Sequence, residues 1–570
     1  MYILGLTAYS HDSSSCLIED GKVIFQADEE RFDRVKHSAA FPINAINACL
    51  NFRNLTIEDI DKITFFWQPN KEIIFNVIHL LKYLPKSINL IFSKSGASEY
   101  NAIKRIILKK TIAKTIEKKF KSQKKFNIDF VSHHICHASS VFFVSPYEES
   151  AILTIDGRGE SASTMFAHGK NNQIDIIKEF KIPNSIGHLY ASITDYLGFK
   201  PFFDEWKVMG MSAYGTDKYV NYFKDLVKID IYGQYNLNLK YFNFHTHGSK
   251  KWLSKKFYKK FGPKKNYTDK YLQRHYDIAY ALQKLVENLG VNLANRLYDL
   301  TKSPNLCMTG GVVLNCLMNS EIIAKTKFKN VFIQPIANDP GAGIGSALYY
   351  YYSKLKKHRN YQFHDIYLGT KYSDNEIIDC LNANHLSYIK TDPSFNAVAK
   401  LLAKGKIIGW FQGRMESGPR SLGNRSILAN PNFPNMKELL NKKIKKREFF
   451  RPFAPSVLYE DLHEYFLLPK KVASPHMILS GIVKKNKRNL IPAITHEDYT
   501  ARIQSVTKEE NLLFWKLINE FKKITGISVL LNTSFNENEP IVNTPQQAID
   551  CFLRNEMDFL VLGNYIIKKN

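Results

Sequence analysis

Two histidines stand at a spacing that suits one metal ion. His133 and His137 occur in the run SHHICH after a predicted strand at 128–131, and Ser132 is a favourable N-cap for a helix that begins there. Residues four apart on a helix share one face, with Cβ atoms about 6 Å apart, so both imidazoles can reach the same ion. An isolated H-x-x-x-H also occurs where histidines only cap or pack, so further ligands are needed.

Two aspartates at the ends of predicted strands are the further candidates. Asp156 follows the strand 152–155 in the turn DGRGE, and Asp339 follows the strand 331–334 and begins the run DPGAGIG at a predicted helix N-terminus. Two histidines and two aspartates favour Fe²⁺, Mn²⁺ or Zn²⁺ over Ca²⁺, because imidazole is a poor ligand for the hardest cations. An ion with an open coordination position acts as a Lewis acid.

Glycine-bearing turns that suit phosphate follow three predicted strands, at 5–15, 156–159 and 309–315. Small residues there let backbone amides approach phosphate oxygens, although each run is a weak signal on its own and a tight turn is its default explanation. The chain has neither G-x-x-x-x-G-K-[ST] nor a G-x-G-x-x-G fingerprint, which argues against P-loop and Rossmann sites.

Arginine and lysine alternate with glycine, proline and phenylalanine in the second half of the chain. The runs are GRMESGPRSLGNRS at 413–426, KKREFFRPFAP at 445–455, TAR at 500–502 and NTSFN at 532–536. The guanidinium fork matches phosphate oxygens, and lysine acts as a point charge. Cations embedded among apolar and turn residues are hard to explain as a solvated face, so these runs predict an anion pocket.

Alternating predicted strands and helices must position these groups, and they indicate an α/β fold. The first domain is predicted at 1–355, with strands at 2–6, 16–19, 22–26, 128–131, 151–155, 164–168 and 305–309 and a long helix at 276–301. The second is predicted at 363–570, after a basic linker at 354–363, with helices at 435–443, 512–525 and 544–555 and strands at 406–411, 528–531 and 559–562. No internal repeat is visible.

The net charge of +26 is concentrated in two segments. Residues 82–125 contain 13 basic and 2 acidic residues, and residues 250–274 contain 10 basic and 1 acidic residue. The second segment interleaves lysine with aromatic residues, which suits nucleic acid through phosphate neutralisation and base stacking. A solvated basic face is the alternative.

Cysteine usage and hydropathy indicate a cytoplasmic protein. Seven scattered cysteines form no C-x-x-C pair, which argues against a disulfide framework or thiolate zinc site. No apolar run approaches the roughly 18 residues that span a bilayer, and no basic n-region begins the chain. We therefore expect no membrane partner, and a homodimer stays an open option.

The whole chain resembles the O-carbamoyltransferase family that modifies nodulation factors, aminoglycosides and other natural products. The resemblance is carried, in order from residue 5 to 536, by HHxxH, T-[IV]-D-G-x-G-E, G-G-x-x-L-N, G-R-M-E-x-G-P-R-[AS]-L-G-x-R-S, K-x-R-E-x-F-R-P-F-A-P and N-T-S-F-N. It implies an N-terminal domain of the actin-like ATPase superfamily and a C-terminal YrdC-like α/β domain. Arg158 departs from the family, which usually has a small or apolar residue in that turn.

The resemblance implies a two-step reaction that uses ATP, Mg²⁺ and carbamoyl phosphate. The second domain forms carbamoyl-adenylate, and the first holds it at a divalent ion, with Fe(II) preferred over Mn or Zn, and carbamoylates an acceptor hydroxyl. The matched metal ligands are His133, His137, Asp156 and Asp339. The matched nucleotide residues are Lys36, Gly310, Gly311 and Asn315, and the matched carbamoyl phosphate residues are Arg420, Lys445, Arg451, Arg502, Ser534 and Asn536.

The resemblance also places His11 and Asp12 opposite the acceptor. His11 could accept the hydroxyl proton or only make a structural hydrogen bond. A hydroxymethylated base in DNA is one candidate acceptor, and it would have to be flipped or single-stranded. A saccharide or natural-product hydroxyl is the alternative. Rival functions are a threonylcarbamoyladenosine-type tRNA-modifying enzyme and a non-catalytic nucleic-acid-binding protein.

Overall fold

The computed structural model describes residues 1–91, 101–230, 233–266, 268–469 and 472–569. The chain divides into two compact units. The first contains residues 1–33 and 37–363, and the second contains residues 364–570 together with 34–36. Both units mix helices and strands, which confirms the predicted α/β class. The predicted linker at 354–363 belongs to the first unit, where Arg359 donates to the carbonyl oxygens of Phe142 and Ser145.

The first unit contains strands β1–β12 and helices α1–α14. Its strands are β1 (Tyr2–Thr7), β2 (Ser14–Glu19), β3 (Lys22–Asp28), β4 (Lys62–Phe65), β5 (Asp129–Phe130), β6 (Glu149–Ile155), β7 (Ala162–Lys170), β8 (Gln173–Lys181), β9 (Val227–Ile229), β10 (Tyr235–Leu237), β11 (Asn305–Thr309) and β12 (Asn330–Ile333). Its helices are α1 (Glu30–Asp33), α2 (Ile43–Asn51), α3 (Pro69–Lys82), α4 (Ala102–Lys110), α5 (Ile112–Phe120), α6 (His133–Phe142), α7 (Ile186–Tyr196), α8 (Glu205–Met211), α9 (Val220–Phe223), α10 (Phe244–His247), α11 (Lys255–Phe261), α12 (Gln273–Thr301), α13 (Cys316–Lys325) and α14 (Asp339–Leu348).

Two five-stranded sheets in the first unit repeat one topology. In the order β3-β2-β1-β4-β5, the first three strands are antiparallel, and β4 and β5 continue the sheet in parallel with β1. In the order β8-β7-β6-β11-β12, the first three strands are again antiparallel, and β11 and β12 are parallel with β6. The first unit is therefore a structural duplication that was not visible as a sequence repeat.

The second unit is built on one mixed sheet in the order β13-β22-β21-β14-β15-β20-β16-β19-β18-β17. Its strands are β13 (Tyr388–Lys390), β14 (Ile408–Phe411), β15 (Arg425–Ala429), β16 (Ala454–Leu458), β17 (Phe466–Leu467), β18 (Leu479–Val483), β19 (Thr500–Val506), β20 (Val529–Ser534), β21 (Phe559–Leu562) and β22 (Tyr565–Lys568). Its helices are α15 (Asp374–Ala383), α16 (Asn396–Ala403), α17 (Met436–Leu439), α18 (Leu462–Tyr465), α19 (Leu512–Thr525) and α20 (Pro545–Arg554). Trp410, Phe521 and Leu531 lie in its apolar core.

The best-predicted elements are those with a clear hydrophobic period. β11, α19 and β21 have the predicted bounds, and α12 begins three residues before the predicted start. The predicted helix at 435–443 is wrong in form, because α17 ends at Leu439 and a π-helical turn over Leu440–Ile444 follows it. Turns of this kind occur frequently at functional sites, and this one ends directly before Lys445.

Helices α6 and α14, which carry three of the four predicted metal ligands, approach closely because glycine occupies the contact. A Cβ atom on Gly345 would lie 1.7 Å from the carbonyl oxygen of Cys136. Every residue of both helices is buried. The glycine-rich run DPGAGIG is therefore explained by helix packing, which sets the separation between the histidine pair and Asp339.

Gly345→Ala tests this packing. Because the new methyl group would overlap the Cys136 carbonyl oxygen, we expect the free energy of unfolding to fall by about 1–3 kcal/mol in urea titrations. Gly526→Asn is the matched control, since Gly526 follows α19 at φ +74 with no atom within 4 Å of a Cβ there. Asparagine tolerates that conformation, so the control should stay close to the wild-type stability. Wild-type stability of Gly345→Ala would contradict the close approach.

Candidate functional site

The four predicted metal ligands converge in the first unit. Ligand atoms of His133, His137, Asp156 and Asp339 all lie within 4.8 Å of one another, and all four residues are buried. Nε2 of His137 is 2.9 Å from Asp156 Oδ2 and 3.9 Å from Asp339 Oδ1. Nε2 of His133 is 3.4 Å and 3.9 Å from the same two oxygens. Helix α6, the end of β6 and the start of α14 thus surround one point.

The bonding of His137 and the protonation of His133 fit a bound cation. Nε2 of His137 is buried without a well-aligned hydrogen-bond partner, while its Nδ1 lies 3.5 Å from the Thr309 hydroxyl. Burial and the neighbouring His137 lower the pKa of His133 to about 3, so the His133 ring is neutral and can donate a lone pair. Two imidazoles and two carboxylates are a donor set that suits a divalent transition metal.

The pKa values of Asp156 and Asp339 shift in opposite directions. Burial alone would raise the pKa of Asp156, but the imidazoles of His133 and His137 hold it well below its ordinary value. Burial raises the pKa of Asp339 to about 6, and the charge of Asp156 contributes to that shift. Like charges this close repel each other, so a cation between them would stabilise the folded chain.

Glu160, rather than Ser132, caps the helix that carries the histidines. Ser132 occupies the N-cap position, but its side chain makes no capping hydrogen bond. The Glu160 carboxylate accepts hydrogen bonds from the backbone N–H of His133 at 3.0 Å and of Gln68 at 2.8 Å. The predicted helix start is thus correct, the predicted capping side chain is wrong, and the turn that carries Asp156 also anchors α6.

Aromatic packing fixes the orientation of the His133 ring. Its centroid lies 4.9 Å from that of Trp67 and 5.5 Å from that of Phe66. Trp67 Nε1 in turn donates a hydrogen bond to Glu72 Oε2 at 2.8 Å. A metal ligand held by such surrounding contacts loses little conformational freedom when it binds an ion.

The predicted acceptor-facing residues form a hydrogen-bonded chain with His37. Asp12 Oδ2 is 3.1 Å from His11 Nδ1, and Asp12 Oδ1 is 2.6 Å from His37 Nδ1. His11 Nε2 lies 3.9 Å from Asp339 Oδ2, so these hydrogen-bonded residues border the four predicted metal ligands. Asp12 and His37 have left-handed backbones, with φ of 52° and 54°, a strained conformation that is enriched at functional sites.

Nearby carboxylates favour the protonated form of His11. Burial alone would lower the pKa of His11, but Asp339 and Asp12 raise it to about 10. A protonated imidazole cannot accept a proton. His11 can therefore act as a base only when a cation offsets the negative charge of the carboxylates beside it.

The structure divides the predicted nucleotide residues between the units. Gly310, Gly311 and Asn315 lie in the first unit, whereas Lys36 belongs to the second. Gly310 has φ +100, and a Cβ there would lie 2.3 Å from the Ile155 carbonyl oxygen, so packing alone requires this glycine.

The other two nucleotide candidates of the first unit have structural contacts as well. The backbone N–H of Gly311 lies 3.4 Å from Asp156 Oδ2, which links this turn to the metal cluster. Asn315 Oδ1 accepts a hydrogen bond from Met318 N at 3.0 Å and thereby caps α13. The Asn315 side-chain amide also donates to Gln283 Oε1 at 2.9 Å.

In the second unit, Lys445 is buried among oxygen atoms of the NTSFN run. Its Nζ donates to the Ser534 carbonyl oxygen at 2.5 Å, to the Asn536 carbonyl oxygen at 2.7 Å and to Asn536 Oδ1 at 2.8 Å. Ser534 Oγ donates to the same Asn536 Oδ1 at 2.8 Å. The π-helical turn and β20 thus meet at one buried ammonium group.

Several more cations surround Lys445. Burial and the charge of Arg447 lower the pKa of Lys445 well below its ordinary value, and Arg451 and Lys36 contribute to the shift. Burial, Arg451 and Arg502 lower the pKa of Arg447 in the same way. Holding like charges together costs free energy that a bound anion would offset. The predicted residues brought into this region are Lys445, Arg451, Arg502, Ser534 and Asn536.

Arg420, the sixth predicted carbamoyl phosphate residue, is half-buried in the loop between β14 and β15. Two other arginines of the same run bond to the backbone. Arg414 donates to the Leu368 carbonyl oxygen at 2.6 Å, and the buried Arg425 donates to that of Gln412 at 2.5 Å. Arg420 keeps its place as the ligand candidate of this run by motif match.

Three residues that complete these sites were missed in the sequence. His37 extends the His11–Asp12 chain, Glu160 caps α6, and Arg447 packs its charge beside Lys445. Each lies within one or two residues of a matched position or inside a quoted motif, which was the available signal.

Three aromatic rings of the second basic segment are buried and cannot stack on a base. Its most buried rings are Trp252, Phe257 and Phe261. Lys264 Nζ pairs with Asp195 at 2.7 Å. The predicted base stacking is therefore wrong for these three rings. Tyr267 and, in the first basic segment, residues 92–100 lie outside the described residues.

The structure also bears on the cysteines and on membrane-spanning helices. All seven cysteines are free thiols. Within the described ranges, no helix combines the length and the apolar character that crossing a bilayer requires.

The chain is similar to known proteins along most of its length. The model of the carbamoyltransferase N-terminus matches residues 2–348, and that of the carbamoyltransferase C-terminus matches residues 399–569. Nodulation protein NolNO of Sinorhizobium fredii is 35% identical over 98% of this chain and 79% of its own length. The 3'-hydroxymethylcephem-O-carbamoyltransferase of Streptomyces clavuligerus is 31% identical over 47% of this chain and 49% of its own length.

Among solved structures, HypF of T. kodakarensis is 12% identical and covers 62% of this chain and 48% of its own, with a TM-score of 0.32. A likeness at this level carries no argument about function.

The adjacent residues His133 and His134 provide a matched test of the predicted metal site. His133→Ala removes one of the four converging ligands, so we expect the purified protein to lose its metal in elemental analysis. His134→Gln should keep the metal, because His134 bonds to the Thr154 hydroxyl at 2.6 Å and is not among the four. Equal metal contents in the two variants would contradict the site.

Glu160→Ala tests whether the helix cap positions the histidines. Loss of the accepted hydrogen bonds should lower the free energy of unfolding by about 0.5–2 kcal/mol. Metal affinity, measured by chelator competition, should fall about 10–100-fold because the anchor of a ligand is removed. Glu160→Gln keeps an acceptor oxygen and should retain most of both. An alanine variant with unchanged metal affinity would show that the cap does not position the ligands.

Proposed function

The chain belongs to the carbamoyltransferase family, and we propose that it is an ATP-dependent O-carbamoyltransferase that makes carbamoyl-adenylate from carbamoyl phosphate and carbamoylates an acceptor hydroxyl. The observation that supports this proposal most is the convergence of two buried imidazoles and two carboxylates on one point. A divalent ion held there by His133, His137, Asp156 and Asp339 would polarise a carbamoyl oxygen as negative charge develops. We expect Fe(II), with Mn(II) and Zn(II) as alternatives for the same donors.

We assign the first step to the second unit. Water hydrolyses carbamoyl phosphate to carbamate and phosphate, and a carbamate oxygen then attacks the α-phosphorus of Mg²⁺-bound ATP, so that carbamoyl-adenylate forms and pyrophosphate leaves. Lys445 and the half-buried arginines around it would neutralise the phosphate oxygens without having to reorganise during the reaction. The proposed ligands of carbamoyl phosphate are Arg420, Lys445, Arg451, Arg502, Ser534 and Asn536.

We assign the second step to the first unit. The acceptor oxygen attacks the carbamoyl carbon, the bond to the adenylate oxygen breaks, and AMP leaves. His11 would accept the hydroxyl proton while Asp12 orients its ring through the 3.1 Å contact, a role typically worth about 10²–10⁴-fold in rate. His37 would hold Asp12 in place. The nucleotide residues proposed by motif match are Lys36, Gly310, Gly311 and Asn315.

We propose a saccharide or natural-product hydroxyl as the acceptor. The burial of Trp252, Phe257 and Phe261 removes three of the rings on which the prediction of base stacking rests. A hydroxymethylated DNA base stays the second candidate, because exposed lysines of the two basic segments could still contact phosphates. The amine acceptor of a threonylcarbamoyladenosine-type enzyme is less consistent with membership of the carbamoyltransferase family. A cytoplasmic location, which we also propose, is consistent with the free thiols.

Neighbouring lysines provide the test of the anion pocket. Lys445→Met should lower carbamoyl phosphate-dependent ATP consumption about 10²–10³-fold, because a preorganised charge is lost at the reacting group. Lys446→Met should leave the rate unchanged, since Lys446 is 57% exposed and pairs with Glu537 at 3.1 Å. Both variants should keep their metal. Equal rates in the two variants would contradict the assigned pocket.

Product analysis tests the reaction and the acceptor together. Incubation with ATP, Mg²⁺ and carbamoyl phosphate should add one carbamoyl unit to a hydroxyl of a saccharide or natural product, detected by mass spectrometry. Omission of either ATP or carbamoyl phosphate should abolish the addition. Modification of hydroxymethylated DNA alone would replace the proposed acceptor, and carbamoylation that persists without ATP would contradict the adenylate route.

A further inference from the structure

Helix α4 has its polarity reversed relative to an ordinary surface helix. Arg105 and Lys109 point inward, with exposures of 7% and 0%, whereas Ile103 and Ile107 are each 56% exposed. A helix on the surface of a globular protein normally buries its apolar stripe and exposes its charges. Over these two turns two cations point inward and two isoleucines point outward, while Lys104 and Lys110 stay exposed as on an ordinary surface helix.

Helix α3 shows the same reversal. Its one acidic residue, Glu72, is completely buried. Ile74, Val77, Ile78 and Leu81, at the i, i+3, i+4, i+7 spacing of one helical face, are 51–63% exposed. Each helix therefore presents exposed apolar residues to solvent in the described part of the chain, and such faces mark interaction surfaces.

The inward-pointing charges of the two helices form specific contacts with one another. Lys109 Nζ donates to Glu72 Oε2 at 3.1 Å, and Arg105 Nη2 lies 3.6 Å from Glu72 Oε1. Trp67 Nε1 donates to the same carboxylate at 2.8 Å, and Lys109 Nζ lies 3.8 Å from the centroid of the Trp67 ring. Because α3 and α4 are held together through polar contacts, their apolar residues remain available on the outer side.

The exposed charges beside these faces are positive. Lys82 ends α3, Lys86 follows it and Lys110 ends α4, and all three are exposed. The acidic residues in the described part of 69–125 are Glu72, which is buried, and Glu117, which pairs with Lys125 at 3.0 Å. A second copy of this chain would bring like charges together, whereas an anionic surface is complementary to them.

We propose that the outward faces of α3 and α4 dock the protein on an anionic lipid bilayer. Apolar side chains at i, i+3, i+4 and i+7 would enter the headgroup–acyl boundary while the lysines contact lipid phosphates. The sequence predicts no membrane partner because no segment is long enough to span a bilayer, but interfacial docking requires no span. The proposal is independent of the reaction assigned to the two units.

Vesicle co-sedimentation of the full chain tests the proposal. The protein should sediment with phosphatidylglycerol–phosphatidylcholine vesicles at low salt, less at high salt, and stay in the supernatant with phosphatidylcholine alone. A Lys82→Gln, Lys86→Gln variant should bind the anionic vesicles about 30-fold more weakly. Failure of the wild-type protein to sediment with anionic vesicles, or equal binding to both compositions, would overturn the proposal.

Exposed apolar residues elsewhere provide a matched control. Ile74→Ser, Ile78→Ser and Leu81→Ser combined should abolish sedimentation at unchanged melting temperature, because the three side chains lie on the surface. The control combines Ile176→Ser, Ile389→Ser and Ile482→Ser, which are 48–74% exposed, and should bind like the wild type. Equal binding of both triple variants would overturn the proposal, as would a dimer in analytical ultracentrifugation that only the first variant dissociates.

Discussion

The close approach of two buried carboxylates to two buried imidazoles is the constraint on which the first unit depends. Asp156 and Asp339 cannot share a low-dielectric site comfortably unless positive charge lies between them. Their backbones are nevertheless fixed, because Asp156 ends a central strand and Asp339 begins a helix that glycine allows to touch α6. The fold thus stores electrostatic repulsion that a divalent cation would relieve, and the same cation would neutralise the surroundings of His11.

In the second unit the charges that repel one another are positive. Lys445 is buried, Arg447 and Arg451 are half-buried, and the Lys445 ammonium group donates to neutral oxygen atoms rather than to a carboxylate. A phosphate-bearing substrate would compensate these charges. The site in the first unit is therefore preorganised for a cation, and the site in the second unit is preorganised for an anion. A preorganised site stabilises charge without having to reorganise.

Much of the fold and the main site could be predicted, because the informative residues were local. The spacing of His133 and His137 places both side chains on one helical face, and the position of Asp156 after a strand places it at the edge of a sheet. The role of Glu160 depends on a turn that folds back onto α6, and His37 depends on a loop geometry that no period encodes. The duplicated sheets share strand order rather than sequence, and the reversed polarity of α4 depends on burial, which composition does not show.

X-ray absorption at the metal edge of the purified protein tests the central claim most directly. The convergence of the four ligands predicts a first shell of nitrogen and oxygen with the multiple-scattering signature of two imidazoles, and this signal should disappear together with the metal in His137→Ala. A first shell that contains sulfur, or one that lacks imidazole, would contradict the account.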